Sequence, residues 1–250
     1  MLATVEDRLA SSYPAAAPPI TVELSLMPPH PCPYLPGRQA QLRAFYAARI
    51  KPTVYHGFLN ASFRRSGLVI YQPVCQGCRA CQSLRVPVQS FRPSKSQRRC
   101  WKRNADLTVA ASPLCASDEK YELYVRYQAQ RHDAEEPDAR STFESFLYRS
   151  PVDSIEFTYR DGRNQLLAVG ICDVCDASLS SVYFYFDPAH SQRGLGIYGA
   201  VREIDFAAQM GISHYYLGYW VRGCRKMQYK ADFRPCEALY PDGCWREIKD

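Results

Sequence analysis

The sequence predicts a mixed α/β (α+β) fold, a mixed sheet flanked by helices, on three observations. Runs that read as strands, SIEFTYR, QLLAVGICDVC and SLSSVYFYFDP, follow one another in the second half of the chain. A stretch from about Ile197 to Met210 has helical period, with Ile197, Val201, Ile204 and Ala208 on one face. Between the last strand and that helix lies a glycine-bearing turn, AHSQRGLG. The length of 250 residues, with 46% hydrophobic and 22% charged, suits a globular chain that buries a substantial core.

Taken in order, residues 1–31 read as a loose leader, because the Ala- and Pro-rich pieces SSYPAAAPP and MPPHP disfavour regular structure; TVELSL between them suits a short strand. A smaller cysteine-containing N-terminal region follows over 32–112. In it the spacing of Leu42, Phe45, Tyr46 and Arg49 predicts a helix over Arg38 to Arg49, closed by Pro52. GFLNASFRRSGLVIYQP reads as two strands joined near Ser66 and Gly67, and SLRVPVQSF as a strand burying Leu84, Val86 and Val88. SKSQRRCWKRN is a basic helix and DLTVAAS a further strand. The pattern changes around Pro113. From there to 250 come helices at SDEKYELYVRYQAQRH and STFESFLYRS with an acidic loop between them, then the three strands, the turn and the helix. Gly211 stands where a helix C-terminal glycine belongs, and HYYLGYW is the last clear strand.

Composition excludes some functions. No apolar run approaches the roughly 20 residues that span a bilayer, and MLATVEDRLA lacks the basic-then-apolar order of a secretion signal, so the chain reads as soluble and unexported. Eleven cysteines in such a chain point to reduced thiols or a metal site and not to a disulfide framework. The net charge of +6 is mild, so its arrangement matters more than its total.

Five constellations carry chemistry. Gly194 and Gly196 lie where backbone N–H groups at a helix N-terminus favour an anion or a developing oxyanion, as in acyltransferases of the acetyltransferase type; a plain strand-to-helix connection is the alternative. Cys75, Cys78 and Cys81 recur every third residue, and Cys32 is available as a fourth ligand, so a zinc or iron–sulfur site stands against unliganded structural thiols. Arg98, Arg99, Lys102 and Arg103 surround Trp101, a cationic face with a stacking ring that suits an RNA end, or else a solvated face. Arg64 and Arg65 are placed to grip a carboxylate bidentately, or to form a surface ion pair. Lys226, Tyr229 and Lys230 follow the aromatic strand that ends in Tyr219 and Trp220, and line a cleft or edge an aromatic core. With only five histidines and no serine, histidine and acid arrangement, attack by a substrate amine on an activated ester needs the least machinery.

The ordered set CPYLPGRQA, SFRRSGLVIYQPVC, CRAC with LRVPVQSF, PSKSQRR, YFYFDP with RGLG, and GYWVRGCRKMQYKADFRP resembles the bacterial aspartate/glutamate leucyltransferases, relatives of the arginyl-tRNA–protein transferases. The likeness runs from about Cys32 to Pro235. It implies an acetyltransferase-like (GNAT-type) fold that takes aminoacyl-tRNA in place of acetyl-coenzyme A. Ser191, three before the first glycine where coenzyme A users carry Gln or Arg, agrees with that. It further implies a cytoplasmic enzyme that moves leucine from leucyl-tRNA to proteins beginning with Asp or Glu and marks them for degradation, with no membrane or DNA partner. The alternatives are an arginyl donor, or a coenzyme A-dependent small-molecule N-acyltransferase. On this reading Arg98, Arg99, Lys102 and Arg103 contact the tRNA end, and Arg64 and Arg65 hold the acceptor's acidic side chain. Gly194 and Gly196 position the terminal adenosine or the oxyanion, Tyr219, Lys226, Tyr229 and Lys230 line the cleft, and Asp187 is the general base. The transfer requires no cofactor. Eukaryotic relatives carry Cys-x-x-Cys where this chain has Cys32 followed by Leu35, so their metal pattern is incomplete here.

Overall fold

A computed structural model describes residues 3–4, 21–131 and 137–249. Most of the expected leader and the acidic loop after Arg131 lie outside the described residues. The strands are β1 (Ala3–Thr4), β2 (Thr21–Val22), β3 (Ser25–Leu26), β4 (His30–Pro31), β5 (Gln39–Ala40), β6 (Leu42–Tyr46), β7 (Arg64–Ser66), β8 (Val69–Pro73), β9 (Cys81–Pro87), β10 (Thr108–Pro113), β11 (Ser154–Arg160), β12 (Leu166–Val174), β13 (Ser178–Phe186), β14 (His214–Val221), β15 (Glu237–Leu239) and β16 (Trp245–Glu247). The helices are α1 (Pro52–Asn60), α2 (Lys95–Arg103), α3 (Asp118–Arg131), α4 (Arg140–Phe143), which continues in π form over Glu144–Tyr148, and α5 (Leu195–Gln209).

A mixed eight-stranded sheet in the order β10-β11-β12-β13-β14-β9-β15-β16 organises the molecule, and strands from both the cysteine-bearing region and the C-terminal region share it. A four-stranded sheet, β3-β6-β8-β7, stands apart. Successive residues of a strand face opposite ways, and the core divides accordingly. Tyr215 and Leu217 of β14 point toward α5 with Val201, Ile204 and Ala207, whereas Tyr216 points to the small sheet and α1, among Tyr55, Phe58 and Ile70. A third cluster, Leu123, Tyr124, Phe143 and Tyr185, seats α3 and α4 on β12 and β13.

The expected helix over Arg38 to Arg49 is instead β5 and β6. Leu42, Phe45 and Tyr46 satisfy a helical spacing, but the segment is held by strand pairing, Leu42 to Pro73 and Phe45 to Ile70. Pro52 opens α1 at its first turn, where a missing N–H costs nothing, and so it starts a helix and does not close one. The hairpin expected near Gly67 is present, with β7 and β8 turning at a Gly67 of φ +57 whose added Cβ would meet the Ser145 carbonyl. The first expected strand is shorter than GFLNASFRR, because Gly57 to Asn60 form the last turn of α1 with Phe58 and Leu59 buried. On α5 the buried face runs through Leu195, Tyr198, Val201, Ile204 and Ala207, so the expected Ala208 is exposed. Gly211, at φ +70, ends α5 as expected, its N–H reaching the Ala208 carbonyl and that of Ile212 reaching Ala207. The basic helix α2 begins with a capping box, Ser94 accepting from Gln97 N–H and Gln97 returning to Ser94 N–H.

Candidate active site

β13 and β14 are parallel and paired only through Ser178 to Ser180 and His214 to Tyr216. Beyond that point they diverge, β13 to Phe186 and β14 to Val221, opening a wedge in the sheet. On its far edge β14 stays paired with β9 up to Val221 and Cys81, but its register slips between Tyr216 and Gly218. Gly218 has φ +82, a conformation natural to glycine.

The slip places Tyr216 and Tyr219 on one face. The Arg64 guanidinium of β7 lies 5.4 Å from the Tyr216 ring centre and 5.6 Å from that of Tyr219. The Tyr216 hydroxyl donates to Asn60 Oδ1 at 2.6 Å and the Tyr219 hydroxyl to the Ser62 carbonyl at 2.6 Å, so both rings are fixed. Arg64 is 6% exposed and donates from Nη1 to the Phe63 carbonyl, while its Nε and Nη2 are buried with no hydrogen-bond partner among the described residues. A buried charged donor left unsatisfied costs on the order of 1–3 kcal/mol or more, which stacking on two rings offsets only in part. That cost is recovered when an anion arrives.

Lys230 stands beside it. Its ammonium turns inward and donates to the carbonyls of Leu217 at 2.8 Å and Tyr219 at 2.9 Å, the two that flank Gly218, although the residue as a whole is only half-buried. Burial of the ammonium, with the Arg64 charge added, lowers Lys230 to about 8. Arg65, on the opposite face of β7, is committed elsewhere. Its Nε donates to both Asp173 oxygens at 2.8 Å, both side chains are fully buried, and the Tyr55 and Ser154 hydroxyls complete the carboxylate. The expected acceptor pair therefore separates into one free guanidinium, Arg64, and one structural ion pair.

The glycine turn lies at the β13 side of the wedge. Asp187, expected as a base, caps the 3-10 turn Pro188–Arg193 by accepting from Ala189 N–H at 3.0 Å, and Arg126 stands 3.9 Å away; its place is structural. Gly194 adopts φ +69, and α5 starts after it with no side-chain cap, leaving early N–H groups of the helix unclaimed by side chains. A Cβ at Gly194 would press on Cys100 Sγ at 3.3 Å, whereas one at Gly196 would meet open space, so only the first glycine is required by the backbone. The Cys100 thiol donates to the Gly194 carbonyl at 3.3 Å and Asn104 Nδ2 to the Arg193 carbonyl at 2.9 Å. The basic helix and the turn are thus one unit.

Arg98, Arg99, Lys102 and Arg103 are exposed on α2, with Arg103 also donating to the Gln192 carbonyl at 2.7 Å. Trp101 is not available for base stacking as expected, because its ring packs on Tyr198 at 5.8 Å and under Arg202 at 4.8 Å. Of the expected cleft residues on the 3-10 segment Arg225–Asp232, Lys226 is exposed and Lys230 meets Tyr219; Tyr229 exposes part of its side chain, but burial of its hydroxyl, with Tyr127 and Glu203 adding to it, pushes it up to about 12.

All eleven cysteines are free. Cys32, Cys75 and Cys78 lie close enough to Cys81 for their charges to act on it, after burial, in pushing its thiol up to about 12. The four thiols of Cys32, Cys75, Cys78 and Cys81 therefore lie near one another. Among the described residues no three of His, Cys, Asp or Glu are arranged to hold a metal ion.

Sequence reasoning missed Tyr216, the Asp173 partner of Arg65, and Cys100 and Asn104 behind the turn. Gly218 inside an aromatic strand was the available signal, since an isolated strand glycine marks a bulge.

Residues 30–99 match the family model for the arginine-tRNA-protein transferase N terminus, and residues 119–240 the model for its C terminus. The aspartate/glutamate leucyltransferase of Thiobacillus denitrificans is 38% identical over 240 residues, covering 95% of this chain and 99% of that protein. That of Chromobacterium violaceum is 39% identical over 89% of this chain and 92% of the relative, and that of Pseudomonas fluorescens 41% over 84% and 91%. Among solved structures, the C-terminal domain of a putative lysylphosphatidylglycerol synthetase from Agrobacterium fabrum aligns with 71% of this chain and 54% of its own, at 14% identity and a TM-score of 0.46.

Proposed function

Because this chain belongs to the aspartate/glutamate leucyltransferases, within the arginine-tRNA-protein transferase family, we propose that it transfers leucine from leucyl-tRNA to the N-terminus of proteins that begin with Asp or Glu. The observation that carries the acceptor half is the buried Arg64 guanidinium, with two unclaimed donors between two tyrosine rings. A planar fork of this kind matches a carboxylate, and an Asp or Glu side chain supplies one.

The chemistry is aminolysis of an ester. The acceptor's α-amine attacks the leucyl carbonyl carbon and a C–N bond forms. The tetrahedral oxyanion collapses, the C–O bond to the terminal ribose breaks, and the ribose hydroxyl leaves with the proton that the amine gives up. The ester carries the free energy, so the transfer requires no cofactor. Arg64 fixes the acceptor by its side chain, which turns a bimolecular encounter into an oriented one. Lys230 holds the Gly218 bulge that keeps the tyrosines in place. The N-terminus of α5 offers N–H donors to the oxyanion or the terminal adenosine, and Arg98, Arg99, Lys102 and Arg103 meet the phosphates of the tRNA end. No described helix is long and apolar enough to cross a membrane. A reaction fed by charged tRNA belongs in the cytoplasm, and its product enters protein degradation.

Labelled leucyl-tRNA and labelled arginyl-tRNA, each offered to Asp-, Glu- and Arg-initiated peptides, test donor and acceptor together. Leucine appearing on the Asp and Glu peptides alone supports the reading. Arginine on those peptides, or label moved only from acetyl-coenzyme A, overturns it.

A further inference from the structure

A cavity of about 590 Å3 opens at the same end of the sheet as the wedge, between the end of β8, the Cys75 to Cys81 loop, and the turn that joins β15 to β16. Ser62, Gln72, Arg79, Tyr240 and Asp242 are among the residues that line it. We propose that this cavity holds the acceptor polypeptide beyond its first residue and grips its main chain. The inference rests on the leucyl-transfer reading and adds where the rest of the acceptor goes.

The cavity is in the right place. Val221, the last residue of β14, pairs with Cys81, the first of β9, so the cavity adjoins the open end of the wedge on the β9 side. The glycine turn follows β13, on the other side. Donor and acceptor therefore approach β14 from opposite flanks, as two large substrates must.

The cavity wall is also connected to Arg64. Ser62 lies two residues before Arg64, and its carbonyl receives the hydroxyl of Tyr219, the ring stacked on that guanidinium. A first side chain seated on Arg64 leaves the chain's continuation beside the Ser62 wall. That wall is built to stay put. Ser62 has φ +68, unusual for a residue with a side chain, and its hydroxyl is tied to Ser83 Oγ at 2.8 Å.

The lining suits a peptide. Arg79 and Asp242 are the charged residues among those lining the cavity, and Asp242 already pairs with Arg246. A single cation, with a carboxylate in the same wall, does not suit a phosphate backbone. A polar, nearly neutral cavity of the size that holds a small ligand suits an extended peptide whose later side chains vary. Selection then rests on the first residue alone.

Two experiments on the full chain test this. The first compares KM for leucine transfer to an Asp-initiated dipeptide and an Asp-initiated decapeptide, in wild type and in Ala80→Trp, which fills the cavity. The decapeptide is expected to have a KM lower by roughly tenfold, about 1.4 kcal/mol, and Ala80→Trp to abolish that advantage. An advantage that is absent in wild type, or that survives the tryptophan, overturns the proposal. The second needs no variant. An Asp-initiated peptide bearing a chloroacetyl group on its third residue is expected to alkylate Cys75 or Cys78, which line the cavity, and the plain decapeptide to suppress the adduct. Adducts confined to exposed Cys115, or indifferent to the competitor, overturn it. Leucine transfer to the plain peptide is measured alongside: transfer without a protected adduct removes the cavity proposal alone, and no transfer at all removes the reading beneath it.

Discussion

Tyr216 and Tyr219 stand three residues apart in β14, a spacing that puts side chains on opposite faces of a regular strand, yet both rings lie against the one Arg64 guanidinium. The register slip at Gly218 accounts for this, and Lys230 locks the slip by binding the carbonyls on either side of it. A backbone irregularity, a buried lysine and an unpartnered arginine thus form one device, with different consequences for each of its parts.

Arg64 and Arg65 are neighbours with opposite expected behaviour. Arg65→Met leaves Asp173 as an unpaired buried charge and is expected to lower stability by about 3–5 kcal/mol. Arg64→Met removes two unsatisfied donors and is expected to leave stability within about 1 kcal/mol of wild type or to raise it. Urea denaturation of the two variants checks the contrast.

Gly218→Ala is expected to cost on the order of 1–2 kcal/mol, since φ +82 strains any side chain, and the new methyl lies 3.5 Å from the Lys230 ammonium. Its larger effect is on transfer, because relaxing the bulge turns Tyr219 off Arg64. A fall in kcat/KM for an Asp-initiated acceptor well beyond the loss in stability, with KM for leucyl-tRNA unmoved, is the expected pattern.

Glu203 of α5 is buried beneath Gly170, accepts from the Tyr215 hydroxyl, and keeps Oε1 without a partner among the described residues. Burial raises it to about 7, against the Tyr215 and Cys172 hydrogen bonds that favour its ionised form. The folded chain therefore holds a proton that the unfolded chain has released once pH exceeds 4.5, and stability falls as pH rises from there through about 7. The full cost above pH 7 is on the order of 3 kcal/mol. Glu203→Gln is expected to stabilise at pH 8 and to change little at pH 4.5, read from thermal melts across that range.

Arg99→Glu with Lys102→Glu reverses charge on the exposed face of α2 without touching the Cys100 and Asn104 contacts to the glycine turn. The double variant is expected to raise KM for leucyl-tRNA at least tenfold and to flatten its salt dependence, by roughly 0.7–0.9 in the log–log slope for each phosphate that is no longer neutralised. An unchanged slope places the tRNA on another surface.

Much of this was legible in the residues. Strand runs and helical period revealed the three central strands and the helix α5; Gly67 marked the β7–β8 turn and Gly211 the end of α5, because each needs a positive φ. The stretch at Leu42 misled, since its apolar spacing fits a helix and only the partner strand β8, some thirty residues on, makes it a strand. Arg64 and Arg65 were recognisable as a carboxylate-binding pair, but adjacent strand residues face opposite ways, and which one was free depended on the distant Asp173. Trp101 read as a base-stacking ring because its neighbours are cationic, while its actual partners, Tyr198 and Arg202, come from a helix nearly a hundred residues away.

The central claim is that leucine transfer is directed to acidic termini by Arg64. The ratio of kcat/KM for leucine transfer to an Asp-initiated peptide over the matched Asn-initiated peptide, in wild type and in Arg64→Met, tests it most directly. The predicted ratio is roughly 10 to 100 in wild type, the worth of a charge-assisted pair, falling to near unity in Arg64→Met. A variant that still transfers leucine and keeps the wild-type ratio would contradict it.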